Sequence, residues 1–193
     1  MILIVYCHPF SGSFNHAELQ TVRENLTSKR QPFKVIDLYA DNFSPVYSNQ
    51  ELRLYHTGGT ADPLVKRYLV WLKQADTVIF ITPIWWNSIP GMLKGFIDKV
   101  MKEGPGLTHT VHKIGVKGEL TNIKHCYVLT SSSSPTAYIK YLNGNAIKRI
   151  FIKQTLRQLG FKHCIWQNFG LITGSSDGRR TCYLAKLRQQ NFN

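Results

Sequence analysis

No apolar run in this 193-residue chain approaches the roughly 20 residues that a bilayer-crossing helix requires. The apolar run at the N-terminus is short and has no basic leader, so it reads as a strand rather than a signal peptide. No C-x-x-C pair occurs. The four cysteines, Cys7, Cys126, Cys164 and Cys182, lie far apart, which excludes the spacing of a zinc ribbon or a dithiol redox motif. Three of them, Cys7, Cys126 and Cys164, fall in apolar runs. Buried, reduced thiols in a cytoplasmic protein account for them better than disulfides. Acidic residues are scarce, 11 against 24 lysines and arginines, for a formal net charge of +13. The basic residues are spread along the chain without a dense block or a recognisable module, so the charge does not mark a nucleic-acid binder. A basic surface also steers small anions toward a site. The glycine-rich phosphate fingerprints are missing too: there is neither G-x-G-x-x-G nor a Gly-Lys-Ser/Thr ending. No internal repeat or linker divides the chain, and residues 1–193 read as one domain.

What is present is an alternation of strands and helices. Residues 1–7 form a continuous apolar run, as expected of a strand buried on both faces of a parallel sheet. Further strands are predicted at 33–38, 77–82, 125–130 and 163–169. Helices are predicted after His8–Asn15 with Leu19, Val22 and Leu26 on one face, from Pro63 behind Asp62 as N-cap, over about 91–101, from Ile147 to near Gly160, and over 177–190. Residues 41–61 and 102–124 read as long excursions. Five strands separated by helices imply a parallel sheet with right-handed crossovers.

Two loops carry the chemistry. Pro83-Ile84-Trp85-Trp86-Asn87 follows the third strand, and loops at the carboxyl ends of parallel strands are where open α/β sheets bind ligands. Two adjacent indoles offer flat surfaces for an aromatic ligand, or else serve as core or interface residues. The second loop, His8 to Asn15, leads from strand one into a helix. Helix N-terminal amides attract anions, and Ser11, Ser13 and Asn15 add short polar groups, so it reads as a phosphate cradle or as ordinary N-capping. The serine run 131–134 after the fourth strand reads as a third ligand loop. His109 and His112 have H-x-x-H spacing in a predicted loop. They lack an acidic or cysteine partner nearby, so they read as a solvated or partner-facing pair, not a metal site.

The combination His8 with Ser13-Phe14-Asn15, Asp37-Leu38-Tyr39 with Phe43 and Pro45, Ala75-Asp76, and Pro83-Ile84-Trp85-Trp86 with Pro90 and Leu93-Lys94-Gly95 resembles the flavodoxin-like NAD(P)H quinone reductase family over nearly the whole chain. The resemblance implies a flavodoxin-like sheet of order 2-1-3-4-5 with helices on both faces. It implies a flavin, FMN or alternatively FAD, with NAD(P)H as hydride donor and quinone-like acceptors. His8, Ser13, Phe14 and Asn15 would hold the flavin phosphate and ribityl chain. Pro83, Ile84, Trp85, Trp86 and Asn87 would wrap the ring system, and Thr130, Ser131, Ser132 and Ser133 would line its other edge. Tyr138 would be the catalytic tyrosine. The chain departs from the family in having serines where a Thr-Thr-Gly-Gly turn is common, and Asn143-Gly144-Asn145 where the mammalian enzyme has a histidine. The resemblance also implies a homodimer with a shared site. Two other functions fit the pattern: a regulatory flavoprotein subunit of a potassium efflux system, and a one-electron carrier. The basic charge argues against the carrier.

Overall fold

A computed structural model of the chain describes residues 1–192. Five parallel strands form one sheet: β1 (Ile2–Tyr6), β2 (Phe33–Asp37), β3 (Thr77–Pro83), β6 (His125–Ser131) and β7 (Cys164–Phe169), in the order β2-β1-β3-β6-β7. The remaining two strands, β4 (His109–His112) and β5 (Gly115–Gly118), pair antiparallel as a separate hairpin. With that hairpin set aside, the order is the expected 2-1-3-4-5.

Side-chain alternation along β1 shows how the sequence builds three layers. Leu3, Val5 and Cys7 join one core cluster, with Val78 and Phe80 of β3 and Cys126 and Val128 of β6. This cluster is covered by α3 (Pro63–Gln74), α4 (Gly91–Val100) and a π-helical segment, Ile147–Leu156. Ile2, Ile4 and Tyr6 point the other way, with Ile79, Ile81, Tyr127 and Leu129, against α1 (Phe14–Ser28) and α5 (Asp177–Gln189). A strand buried on both faces has no polar alternation, hence the unbroken apolar runs. Each fully buried aliphatic or aromatic side chain contributes about 1.5–3 kcal/mol, so the central strands dominate stability.

Helix starts are capped by side chains, Asp62 among them as the sequence predicts. Ser13, Asp62 and Ser176 cap α1, α3 and α5 through side-chain oxygens that accept backbone N–H bonds. Gly95 explains its own place in α4: a Cβ there would lie 2.3 Å from Pro45 Cβ, so only glycine lets the 43–46 loop pack on the helix.

The two excursions are more ordered than their composition suggests. Residues 41–61 contain a short helix, α2 (Asn49–Arg53), and residues 102–124 contain the β4–β5 hairpin. A buried ion pair ties them together: Lys102 Nζ lies 3.3 Å from Glu51 Oε2, and Glu51 also accepts from Thr60 Oγ1 and Ala61 N. The hairpin corrects one expectation, since His109 and His112 sit at the two ends of a strand rather than in a loop. Three residues apart on a strand, they project to opposite faces. Each hydrogen-bonds a neighbouring threonine, Thr108 and Thr110. No helix among the described residues is long and apolar enough to cross a membrane.

Candidate active site

The site lies at the carboxyl ends of β1, β3 and β6, at the point where the strand order reverses. Parallel strands expose their last carbonyls and their following loops at this edge, and an α/β sheet opens a crevice there.

The first wall is the loop from β1 into α1. The Ser13 hydroxyl is taken up in capping, accepting from His16 N at 3.1 Å. That leaves the first amides of α1, which lack helical acceptors, as the anion-facing groups. Beside them, His8 Nδ1 accepts from Phe10 N at 3.1 Å, which places the proton of the neutral ring on Nε2. Burial lowers the His8 pKa below its ordinary value, favouring that neutral donor form. Its ring meets Trp85 edge-on at 5.9 Å.

Asn15 does something the sequence did not suggest. It is 1% exposed, and its carboxamide is a buried strut. Nδ2 donates to Glu18 Oε2 and Oδ1 accepts from Ser131 Oγ, both at 2.7 Å. Burial pushes the Glu18 carboxyl up to about 7, against the pull of Tyr183 and Asn15. Glu18 Oε1 and the Tyr183 hydroxyl have no hydrogen bond of ordinary geometry.

The second wall is the tryptophan loop. Ile84 N donates to Ser131 O at 2.8 Å, fixing the loop to the end of β6. Trp85 and Ser88 then exchange backbone hydrogen bonds of 3.0 and 3.1 Å around a two-residue turn. Its central residues, Trp86 and Asn87, have φ of 49° and 65°. Left-handed conformations at non-glycine residues are costly and cluster at functional sites, where surrounding structure holds them. The turn thrusts Trp86 outward, 97% exposed, next to a half-exposed Trp85.

The third wall is the serine loop. The Ser132 amide is committed to Phe169 O at 3.0 Å, and the Ser132 hydroxyl donates to Ser134 O. The Ser133 amide has no hydrogen-bond partner among the described residues and stands free as a donor. Thr130 departs from expectation. It is fully buried and does not line the crevice. Its Oγ1 donates to Asn168 Oδ1 and accepts from Trp166 Nε1, both at 2.8 Å, so it braces β6 against β7 behind the site.

These walls enclose two joined cavities. One, of about 290 Å³, is lined by His8, Ser13, Phe14, Asn15, Pro83 and the serines 131–133, with Ile84 and Trp85. The other, of about 480 Å³, is lined by Ile84, Trp85, Trp86, Asn87, Ser132, Ser133 and Tyr138. Ile84, Trp85, Ser132 and Ser133 belong to both. Tyr138 opens a π-helical turn, Tyr138–Leu142, and is 45% exposed. Apart from Thr130 and Ser11, which line neither cavity, the sequence-predicted site residues therefore meet at one crevice. Ser134, the last of the serine run, also lines the second cavity, whereas sequence reasoning missed Phe10 and Ile172 in the first and Ile139 and Asn143 in the second. Phe10 lies inside the phosphate-like loop and was within reach of that reading. Ile172 arrives from the turn after β7, where no local pattern marks it.

A profile described as flavodoxin-like fold matches residues 1–185. The chain belongs to this flavodoxin-like family. Its members similar to this chain include an uncharacterized NAD(P)H oxidoreductase of Haemophilus influenzae, 24% identical over 190 residues, covering 97% of this chain and 92% of that protein. Rat NAD(P)H dehydrogenase [quinone] 1 is 29% identical over 152 residues, covering 70% of this chain and 55% of its own length, so the chain spans only about half of that larger relative. Among solved structures, an NAD(P)H:quinone oxidoreductase from Methanothermobacter marburgensis has a TM-score of 0.85 at 23% identity, covering 97% of this chain and 95% of its own. An FMN-dependent NADH-azoreductase from Bacillus anthracis, solved in complex with FMN, has a TM-score of 0.77 at 16% identity, covering 97% and 96%. At these identities the two structures establish the shared fold. None of these four relatives bears the description of a potassium-efflux subunit.

Proposed function

We propose that this chain is a flavin-dependent NAD(P)H:quinone oxidoreductase that binds FMN in the two joined cavities and works as a cytoplasmic homodimer. The carrying observation is the pairing of those cavities. One ends on a helix N-terminus and the other on an exposed aromatic wall, at the switch point of a flavodoxin-like sheet. The donor set fits the parts of FMN. The α1 amides and His8 Nε2 suit a phosphate, and the net charge of +13 favours its approach. Pro83 to Asn87 offer a backbone-and-indole wall for a flat ring system, and the Ser133 amide adds a free donor. FMN is preferred over FAD because it is the flavin carried by the Bacillus anthracis azoreductase of the same fold.

FMN, when bound, supplies the hydride-accepting and hydride-donating chemistry. The protein's own contribution is placement and charge. The Ser133 amide and the Tyr138 hydroxyl are donors available to negative charge developing in the crevice, where preorganised donors act most strongly. Tyr138 has no histidine behind it in Asn143-Gly144-Asn145, so its half-exposed hydroxyl exchanges protons with water. Nicotinamide and quinone take turns against the same open wall at Trp86 and Tyr138, which requires ping-pong kinetics. A second copy of the chain covers this wall, apposing the exposed Trp86 and the hairpin residues Val111 and Ile114, the last of these fully exposed.

The test starts from purified protein: heat-released pigment identified by mass, then initial rates with NAD(P)H and a quinone. FMN and parallel double-reciprocal lines are expected. A colourless protein that takes up neither FMN nor FAD overturns the proposal, and intersecting lines overturn the shared wall. Sedimentation equilibrium checks assembly, and a flavin-loaded, active monomer at micromolar concentration would refute the dimer.

A further inference from the structure

The opposite end of the sheet holds a second constellation that the flavin chemistry does not use. Cys126 of β6 and Cys164 of β7 are direct partners in the parallel register, at the amino ends of their strands. Five residues along a strand separate them from the Ser131–Phe169 edge of the crevice, ~16 Å at about 3.3 Å per residue. Cys126 is fully buried, whereas Cys164 is partly exposed on the wall of a cavity of about 160 Å³. The other lining residues are Lys140, Lys148, Ile152, Lys153, Arg157 and Trp166. Four cations thus line one cavity with a single thiol. Lys140 rests over the Trp166 ring at 5.4 Å, a contact that leaves its charge uncompensated.

The sequence explains why this charge is not neutralised. Between Glu119 and Asp177 there is no acidic residue at all. None of the four cations forms an ion pair with a described carboxylate. Such a pocket attracts anions and stabilises a thiolate. The thiol pair is arranged to the same end. The Cys164 thiol donates to Lys162 O at 3.8 Å, and the neighbouring Cys126 thiol with the Arg157 guanidinium holds its pKa below the ordinary thiol range despite partial burial. Burial pushes the Cys126 thiol up, so it remains the protonated member of the pair.

We infer that Cys164 is a thiol-exchange site selective for anionic low-molecular-weight disulfides, with Lys140, Lys148, Lys153 and Arg157 binding the carboxylates of the incoming molecule. The Cys164 thiol releases its proton to water. The thiolate sulfur attacks one sulfur of the disulfide, a protein–ligand S–S bond forms, and the original S–S bond breaks. The departing thiolate carries away the electron pair. Cys164 is oxidised and one half of the disulfide is reduced, so no other oxidant is needed. Excess thiol reverses the exchange.

Two probes of opposite charge test this on the whole protein, with or without flavin: dithiobis(nitrobenzoate), a dianionic disulfide, and cystamine, a dicationic one. Peptide mapping after brief reaction gives rates at Cys164 and at Cys182, which is exposed and free and serves as the reference for each probe. The Cys164/Cys182 rate ratio is expected to be at least about tenfold higher for the anionic probe at low salt and to fall as salt is added. Replacing the exposed cations, Lys148→Gln, Lys153→Gln and Arg157→Gln together, should reduce the Cys164 rate with the anionic probe about tenfold and leave Cys182 unchanged. Reaction first at Cys182, equal ratios for the two probes, or an unaltered Cys164 rate in the triple variant would each overturn the inference.

Discussion

Asn15, in the first turn of α1, accepts a 2.7 Å hydrogen bond from Ser131 at the end of β6, 116 residues away. This buried bond joins the phosphate-like wall of the crevice to the serine wall. The other end of the Asn15 amide is held by Glu18 at 2.7 Å. Ser131 in turn accepts from Ile84 at the root of the tryptophan loop. All three walls are therefore linked through the Asn15 and Ser131 side chains and the Ser131 backbone carbonyl.

Removing that link should loosen the site more than the fold. Asn15→Ala strands both Ser131 Oγ and Glu18 Oε2 in a buried setting, at about 1–3 kcal/mol per unsatisfied group. The expected outcome is an FMN dissociation constant raised roughly tenfold to a hundredfold, read by flavin fluorescence titration. An unchanged constant would show that the walls are set independently of Asn15.

Glu18 makes a pH prediction. Its carboxyl titrates near 7 in the folded chain, against about 4.3 when unfolded. Below pH 4 both states hold the proton and nothing is lost. As pH rises toward 7 the unfolded chain gives up the proton while the folded one retains it, so stability falls. The loss is complete above 7 and is on the order of 3 kcal/mol. Glu18→Gln should remove this component. Urea unfolding of both proteins at pH 5 and pH 8 should find the variant gaining on the parent at pH 8. An identical difference at both pH values would contradict it.

Trp86 offers a clean separation of stability from function. Glycine accepts φ of +49° more readily than tryptophan, and the indole is almost wholly in solvent. Trp86→Gly should leave the melting temperature within about 2 °C of the parent or raise it slightly. Quinone turnover should fall severalfold, since the open wall loses its outer ring. Undiminished kcat/KM would remove Trp86 from the substrate wall.

Thr130 and Tyr138 should behave oppositely. Thr130→Val leaves Trp166 Nε1 and Asn168 Oδ1 short of a partner, costing about 1–3 kcal/mol of stability with FMN affinity unchanged. Tyr138→Phe removes only a half-exposed hydroxyl. It should slow one half-reaction in stopped-flow measurements without releasing flavin. If Thr130→Val released flavin, the residue would belong to the site after all.

The Lys102–Glu51 pair should prove necessary to the two excursions. Both side chains are at or below 5% exposure, so Lys102→Met leaves a carboxylate without its counter-charge. A loss of about 3–5 kcal/mol is expected by denaturant unfolding. Pairing it with Glu51→Leu should recover much of that loss; failure to recover would mean that the Thr60 and Ala61 bonds to Glu51 matter more than the charge.

The sequence by itself determined the layers. The apolar runs of β1, β3 and β6 have no polar alternation because both of their faces are covered, and that burial is written residue by residue into local composition. It also determined which loops form the crevice, because they follow those runs, and the capping residue Asp62, because capping is a local backbone interaction. The tertiary structure decided which side chains face the crevice and which face away. Thr130 follows the same strand as Ser131, yet alternation and the presence of Trp166 turn it toward β7. Asn15 reads as an anion ligand in its loop, but its partners come from Glu18 and from a serine far along the chain. The β4–β5 hairpin is weakly patterned, with Ile114 and Val111 exposed, and its composition gave no strand signal. The left-handed turn suits Asn87 but not Trp86, which is held there by the paired Trp85–Ser88 backbone bonds and the anchoring of Ile84 to Ser131. The meeting of Cys126 with Cys164 depends on the register between two strands. Burial is a property of single residues and leaves a local trace, whereas register and partnership are properties of pairs distant in sequence, and only the folded sheet brings those pairs together.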